Sequence, residues 1–321
     1  MTNDPLLCVI GAGRHASAHL YPNIGRVGAQ LAGVCDLDRE KAERNARRFG
    51  GRAYVDYERM LNIEAPDGVL ICIGPDAHAE LAQAVMKQGF AVYTEKPPAS
   101  TAADAKQVLE VSNATGRLCM TAFKKRYALP YRHAHEWIRK HSDDARRSLS
   151  IEYASGPYHG GNFLLDFAIH AIDLVGYLFG AVEAVSATES RTEHAVYAVT
   201  LTFACGAIGT MTLSDARSFE VPTETVELTL DGGSWMSIEN SARYRIVEDE
   251  SPTAWHEPPT FVSAGEGDAS TGHVRELEAF LNALTGGSEP PSSIASSYRS
   301  MVLYEAIEHA VNTNSVVTVD P

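Results

Sequence analysis

The chain has 321 residues, 45% of them hydrophobic and 21% charged, with a formal net charge of −14. These are the proportions of a folded globular protein too long for a single core, so two domains are expected. Net acidity without a basic stripe repels a phosphate backbone and excludes nucleic acid as a partner, and no apolar run approaches the roughly 20 residues that cross a bilayer.

Met1 to Pro5 leads straight into an apolar run without the features of a secretory signal, which points to a cytoplasmic location. The five cysteines, Cys8, Cys35, Cys72, Cys119 and Cys205, show no close pairing and read as reduced core residues.

In chain order, 6–10 is an apolar strand broken by Gly11, and 17–27 reads as a helix interrupted near Pro22. A second strand, 31–35, ends at Asp36 and is followed by a helix over 39–49 with charges on one face. A weak strand at 53–55 precedes the strongly apolar 68–73, which suits a central parallel strand covered on both faces. Helices over 77–88 and 101–115, the latter with Thr101 as its cap, alternate with strands at 90–93 and 118–122. This alternation predicts a doubly wound parallel sheet, which binds ligands beyond the carboxyl ends of its strands.

The first such end carries Gly11, Ala12, Gly13, Arg14, His15 and Ala16, a GxGxxA turn that admits a pyrophosphate to a helix N-terminus. Asp36, twenty positions after Ala16, can accept hydrogen bonds from ribose hydroxyls. NAD is therefore the expected cofactor, with Arg39 keeping NADP open. A structural turn followed by a surface carboxylate would give the same pattern without a cofactor.

The glycine turn, Gly74-Pro75-Asp76-Ala77-His78 after the fourth strand, Glu95-Lys96-Pro97 after the fifth, and Asp166-Phe167-Ala168-Ile169-His170-Ala171-Ile172-Asp173 in the second half resemble, in this order, motifs of the Gfo/Idh/MocA family. Ala168 replaces a common Gly. The resemblance extends from residue 6 to about 319 and implies an NAD-binding Rossmann domain with a second domain for a sugar or cyclitol. Gly74, Pro75, His78, Glu95 and Lys96 then join the cofactor side of the site.

Past Ala122 the rhythm changes. A helix over 129–141 has Pro130 in its first turn. Short β-rich runs follow at 148–155, 182–190, 195–204, 207–215, 223–230, 234–239 and 243–247, with hairpin turns at 203–208 and 230–234, predicting a largely antiparallel sheet with sequential neighbours. Residues 252–270 read as a surface loop, and 272–284 and 293–312 as helices. The fold class is thus α/β: an N-terminal doubly wound Rossmann sheet over 1–122 and a C-terminal α+β domain over 123–321 with a large, mostly antiparallel open sheet. The resemblance implies that the last helices pack back near the first domain and that one sheet face joins copies in a homodimer or homotetramer.

Hydride transfer from a secondary alcohol needs an aligned cofactor, a base, and positive potential at the developing alkoxide. Lys96, at the end of a central strand and stiffened by Pro97 and Pro98, is the candidate to polarise the substrate oxygen. Asp166 and His170 share one helical face, and an imidazole suits proton abstraction near neutral pH, so His170 is the candidate base and Asp166 its orienting partner. Spacing alone favours a hydrogen-bonded core histidine; the family pattern favours the base. Arg126, Tyr127, Tyr158, His159 and Asp173 are candidate substrate contacts, and no metal is expected, because no second His or Cys lies at close helical spacing. Two alternatives stay open: glycosidic elimination through transient oxidation by bound NAD, and a dinucleotide-sensing regulator without chemistry.

Overall fold

The structure, a computed structural model, describes residues 4–157, 161–218, 221–258, 267 and 270–320. The chain divides into two compact units, residues 1–124 with 272–298, and residues 125–271 with 299–321. Among the described residues, no helix is long and apolar enough to cross a membrane.

The first unit is built on a six-stranded parallel sheet in the order β3-β2-β1-β4-β5-β6. Its strands are β1 (Leu6–Ile10), β2 (Gln30–Cys35), β3 (Arg52–Tyr54), β4 (Gly68–Ile71), β5 (Ala91–Thr94) and β6 (Cys119–Thr121). Every residue of β4 and β5 is buried, as continuous apolar runs predict for strands covered on both faces. Strand order reverses between β1 and β4, so a crevice opens beyond their carboxyl ends.

The first helical segment departs from the single helix expected over 17–27. It is a π-helical turn (Ala16–Leu20), a short α1 (Tyr21–Ile24) and a 3-10 turn (Gly25–Val27), stopped by Gly28 at φ +77°. The helices α2 (Arg39–Phe49), α4 (His78–Lys87) and α5 (Ala102–Thr115) agree with the sequence, and the Thr101 hydroxyl accepts the Asp104 N–H as the predicted cap. Between β3 and β4 lies α3 (Tyr57–Glu64), capped by Asp56, an element the sequence reading missed. Helix α8 (His273–Leu284) belongs to this unit. Its Phe280 packs edge-on against Tyr93, and Gly68 leaves it room, since a Cβ there would lie 2.9 Å from both Phe280 and Leu284.

The second unit carries a nine-stranded sheet, ordered β14-β13-β12-β11-β7-β10-β9-β8-β15. These strands are β7 (Arg146–Ala154), β8 (Val182–Arg191), β9 (Ala195–Phe203), β10 (Ile208–Ser214), β11 (Thr223–Leu230), β12 (Trp235–Glu239), β13 (Arg243–Glu248), β14 (Ser251–His256) and β15 (Val317–Thr318). Burial alternates strictly along β9, the period of a sheet with one covered face. Helices α6 (Leu129–Ile138) and α7 (Ile169–Phe179) contact this sheet, α6 against β12 and α7 against β7. Both predicted hairpins are present, with Gly206 at φ +83° and Gly232 and Gly233 at +73° and +76°.

Two expectations fail here. The neighbours are not all sequential, because β7 lies between β11 and β10 and pairs in parallel with β10. Residues 251–256 form a strand rather than loop, paired with β13 despite Pro252; an edge strand tolerates the missing donor. A 20-residue helix, α9 (Ile294–Thr313), completes the chain before β15.

Candidate functional site

The glycine turn is built by crowding. At Gly11, φ +108°, a Cβ would stand 1.9 Å from the Cys72 carbonyl oxygen, so only glycine lets the chain leave β1 this close to the end of β4. Gly13 faces open space, with nothing within 4 Å of where its Cβ would be. Several hydrogen bonds fix the turn between: the Gly11 N–H to the Cys35 carbonyl at 2.8 Å, the Tyr21 hydroxyl to the Gly11 carbonyl at 2.9 Å, and the Asn45 amide to the Ala12 carbonyl at 3.2 Å. The Ala12 N–H donates to Asp36 Oδ2 at 2.7 Å. A cavity of about 590 Å³ lies beside the turn, lined by Gly11, Asp36, Leu37, Val55 and Ile73 among others. Arg14 and His15 are exposed at its helix start, whereas Ala16 is fully buried.

Beyond β5, Glu95 is 7% exposed and Lys96 is half-buried. Burial opposes ionisation of Glu95. The hydrogen bond with His15 at 3.2 Å and the nearby Lys96 ammonium outweigh it and bring its carboxyl down to about 2. The Lys96–Pro97 peptide is cis. His78, only 1% exposed, donates from Nδ1 to the Pro97 carbonyl at 2.7 Å, and burial holds its ring below the ordinary histidine value, hence neutral. His78 therefore lies within the fold as a brace for the Lys96 turn. Gly74 and Pro75 open the short 3-10 turn (Pro75–Ala77) that delivers it.

The sequence reading missed a second group in this unit. His19 stacks on His273 with ring centroids 4.5 Å apart, and His15 is 4.9 Å from His19. Lys124 Nζ lies 3.1 Å from His273 Nε2, and His273 Nδ1 lies 3.3 Å from the fully buried Glu276. An ammonium can only donate, so Nε2 is the acceptor and Nδ1 carries the proton. Burial, then the Lys124 charge, pushes His273 down to about 3. Lys124 and His273 are 149 positions apart, and no local pattern could have joined them. Among the described residues, no group of three or more His, Cys, Asp or Glu could hold a metal ion.

In the second unit, the segment carrying Asp166 and His170 begins with a π-helical turn (Leu164–Ala168) and continues as α7. Asn162 starts it: its side-chain oxygen accepts the N–H groups of Leu164 and Leu165, and its own N–H donates to Asp166 Oδ2 at 2.9 Å. This is a reciprocal cap of the capping-box kind with the acidic residue one place later. The Asn162 amide also donates to the Tyr304 hydroxyl and Glu308 at 2.8 and 2.6 Å. Asp166 and His170 are both half-buried.

Asp173 and Arg126 form a two-pronged ion pair at 2.6 and 2.8 Å, with Ser300 donating to the same carboxylate. They are 1% and 2% exposed, and Tyr127 is 4% exposed, so these three candidate substrate contacts are sealed within their unit. Tyr158 and His159 lie outside the described residues.

A glycine turn, a strand-end carboxylate and a parallel sheet in this order define a dinucleotide-binding α/β protein. Residues 6–123 match the oxidoreductase family with an NAD-binding Rossmann fold, and residues 153–319 match the C-terminal alpha/beta domain of the same family. The chain belongs to the Gfo/Idh/MocA oxidoreductase family and is an NAD-dependent enzyme.

It is 25% identical to a D-glucoside 3-dehydrogenase from Escherichia coli, over 96% of this chain and 95% of that one. It is 26% identical to a 4-carboxy-2-hydroxymuconate-6-semialdehyde dehydrogenase from Sphingobium, covering 90% and 93%. An inositol 2-dehydrogenase from Rhizobium meliloti is 26% identical, covering 94% and 96%. A levoglucosan dehydrogenase solved with NADH and L-sorbose shares the fold with a TM-score of 0.85 at 20% identity, covering 99% and 100%.

Proposed function

We propose that this enzyme transfers hydride between NAD and a secondary alcohol or ketone of a sugar, cyclitol or sugar derivative. The observation that carries the reading is the near full-length likeness to a glucoside dehydrogenase and an inositol dehydrogenase, both named for ring-polyol substrates. The free cysteines suit a cytoplasmic setting, and burial pushes the thiols of Cys8, Cys35 and Cys119 up to about 12, so none of these three is a nucleophile.

In this reading the turn at Gly11 to Ala16 cradles the pyrophosphate and Asp36 faces the adenosine ribose, while bound NAD supplies the hydride acceptor. Lys96 presents its ammonium to the substrate oxygen and stabilises negative charge as the hydroxyl proton leaves. Glu95 and the His78–Pro97 hydrogen bond hold the turn that carries it. His170 takes the hydroxyl proton, and Asp166, anchored by Asn162, grips a neighbouring hydroxyl or orients the ring. Arg126, Tyr127 and Asp173 are left out of the substrate contacts, because their burial gives a ligand no access to them.

We also assign homodimer or homotetramer assembly to the outward face of the nine-stranded sheet. Alternate residues of β9 and β10 are exposed there, among them Thr200, Thr202, Thr210 and Thr212.

Nicotinamide absorbance with a panel of glycosides, inositols, sugar acids and semialdehydes tests the substrate class. Lys96→Ala is expected to lower kcat on the accepted substrate by about 100-fold or more, and NADH affinity by far less. Unchanged turnover would end the assignment of Lys96, and reduction of NAD only with a semialdehyde would end the polyol reading.

A further inference from the structure

The two oxygens of the buried Glu95 carboxylate are used differently. Oε2 accepts the backbone N–H of Lys96 at 3.3 Å, so the carboxylate fixes the peptide from which the Lys96 side chain departs. Oε1 meets His15 Nε2 at 3.2 Å, and because an ionised carboxylate can only accept, Nε2 carries the hydrogen. The sheet order sets β4 between β1 and β5, so this bond crosses the end of β4 and joins the glycine turn to the Lys96 turn, 80 positions on. His15 is itself held, with ring centroids 4.9 Å from His19 and 5.9 Å from His273, which limits the directions Nε2 can take.

We infer that His15 is a positioning residue for Lys96, acting through Glu95: its N–H keeps the carboxylate charged and pointed, and the carboxylate keeps the Lys96 peptide in place. The inference rests on Lys96 facing the substrate oxygen, as proposed above. Foremost among the influences that offset the burial of Glu95 is the His15 hydrogen bond. Without it, burial dominates and the carboxyl moves up from about 2 to its ordinary value or beyond. The other groups facing Glu95 are Lys96 beside it, His273 from α8, His78 from the turn before α4, Cys72 after β4 and Tyr93 on β5. Burial favours the neutral forms of the last four, and they titrate alike in any pair of His15 variants.

His15→Gln and His15→Ala both lack the imidazole, and only Gln keeps an N–H within reach of Glu95, so the pair isolates the donor. With the ketone that the panel identifies, turnover toward the alcohol needs His170 protonated, so His170 adds no loss of rate at low pH. There His15→Ala should lower kcat by about 10-fold or more with a smaller change in KM, and the loss should deepen as pH falls from about 7 to about 5 and Glu95 takes up a proton. The parent should hold its rate over that range, and His15→Gln should recover both the rate and the flat profile. Urea midpoints read the same link without substrate or cofactor. Gln should be the more stable variant near pH 7, and the gap should narrow toward about pH 4, because a protonated Glu95 no longer needs the donor.

If Lys96→Ala disables the enzyme while the parent and both His15 variants share one kcat and one pH profile, the inference alone is overturned. A stability gap between Gln and Ala that ignores pH overturns it too. Full turnover by Lys96→Ala would overturn the reading beneath it, and the inference with that reading.

Discussion

Each unit of this protein buries a carboxylate against cations, with opposite consequences. In the first, Glu95 is ionised within a cluster that stays partly open, its partner His15 having a side chain 46% exposed and its neighbour Lys96 half-buried. In the second, Asp173 accepts two prongs from Arg126 and a third bond from Ser300, with both charges sealed. A charge whose hydrogen-bonding capacity is spent inside the fold has little left to give a ligand, whereas a charge held at one side by neighbours stays available on the other. The same contrast separates two residues of one motif: His170, the proposed base, is half-buried, and Asp173, three positions on, is consumed by structure.

The strongest way to break this comparison is to remove the sealed partner. Asp173→Ala strands the Arg126 guanidinium in a site that is 2% exposed, and such losses cost about 3–5 kcal/mol. Urea denaturation should show that loss, or no folded protein at all. A variant as stable as the parent would mean that the pair contributes nothing, and the division between sealed and presented charge would fall with it.

His273 gives a smaller, pH-dependent effect. Its folded value of about 3 lies below the ordinary histidine value of about 6.5. Below pH 6.5 the unfolded chain takes up a proton that the folded protein refuses. Stability present above 6.5 is therefore lost as pH falls, by about 1.4 kcal/mol per pH unit, until His273 protonates near 3. Glu95 adds a loss of the same sign only between its ordinary value, near 4.5, and about 2. The interval from pH 6.5 to 4.5 thus isolates histidine from that carboxylate, and His273→Gln should remove about 2 kcal/mol of the decline there. His78, also held neutral by burial, declines alike in both proteins and cancels in the difference. Parallel stability curves for parent and variant would show that His273 is not the buried neutral base described.

The parallel sheet was legible because its strands are unbroken apolar runs and its glycine turn has a steric cause that only glycine satisfies. The hairpins at 203–208 and 230–234 were legible from turn chemistry. What escaped has physical reasons. Helix α3 is eight residues with Asp, Glu and Arg at its start, too short to display a period. Strand β14 contains Pro252, and β15 is two residues long. The insertion of β7 between β11 and β10 follows from long-range pairing that no local pattern encodes. In the site, the motif residues were visible, but the brace from His78 and the pairing of Arg126 with Asp173 depend on contacts made only after folding. The two π-helical turns, at 16–20 and 164–168, look like ordinary helix in the sequence and occur at the two segments that carry the proposed chemistry.

Asn162 is where that last point sharpens to a measurement. It begins the second π-helical turn with one end of its amide and reaches Tyr304 and Glu308 with the other. Loss of a helix cap costs about 1 kcal/mol, so Asn162→Ala should lower stability by about 1–2 kcal/mol once the outward bonds are included. Asn162→Ser keeps an oxygen for the cap and gives up the reach to Tyr304 and Glu308, and it should recover about half of that loss. If Ser and Ala behave alike, the cap contributes nothing and the turn is held from α9. If Ser behaves like the parent, the outward bonds are incidental, and the Asp166 segment is fixed by its own first turn. On the substrate that the panel identifies, the Ala variant should lower kcat more than it raises KM if Asp166 orients His170 as the proposed base, since loosening it then disturbs proton removal more than binding.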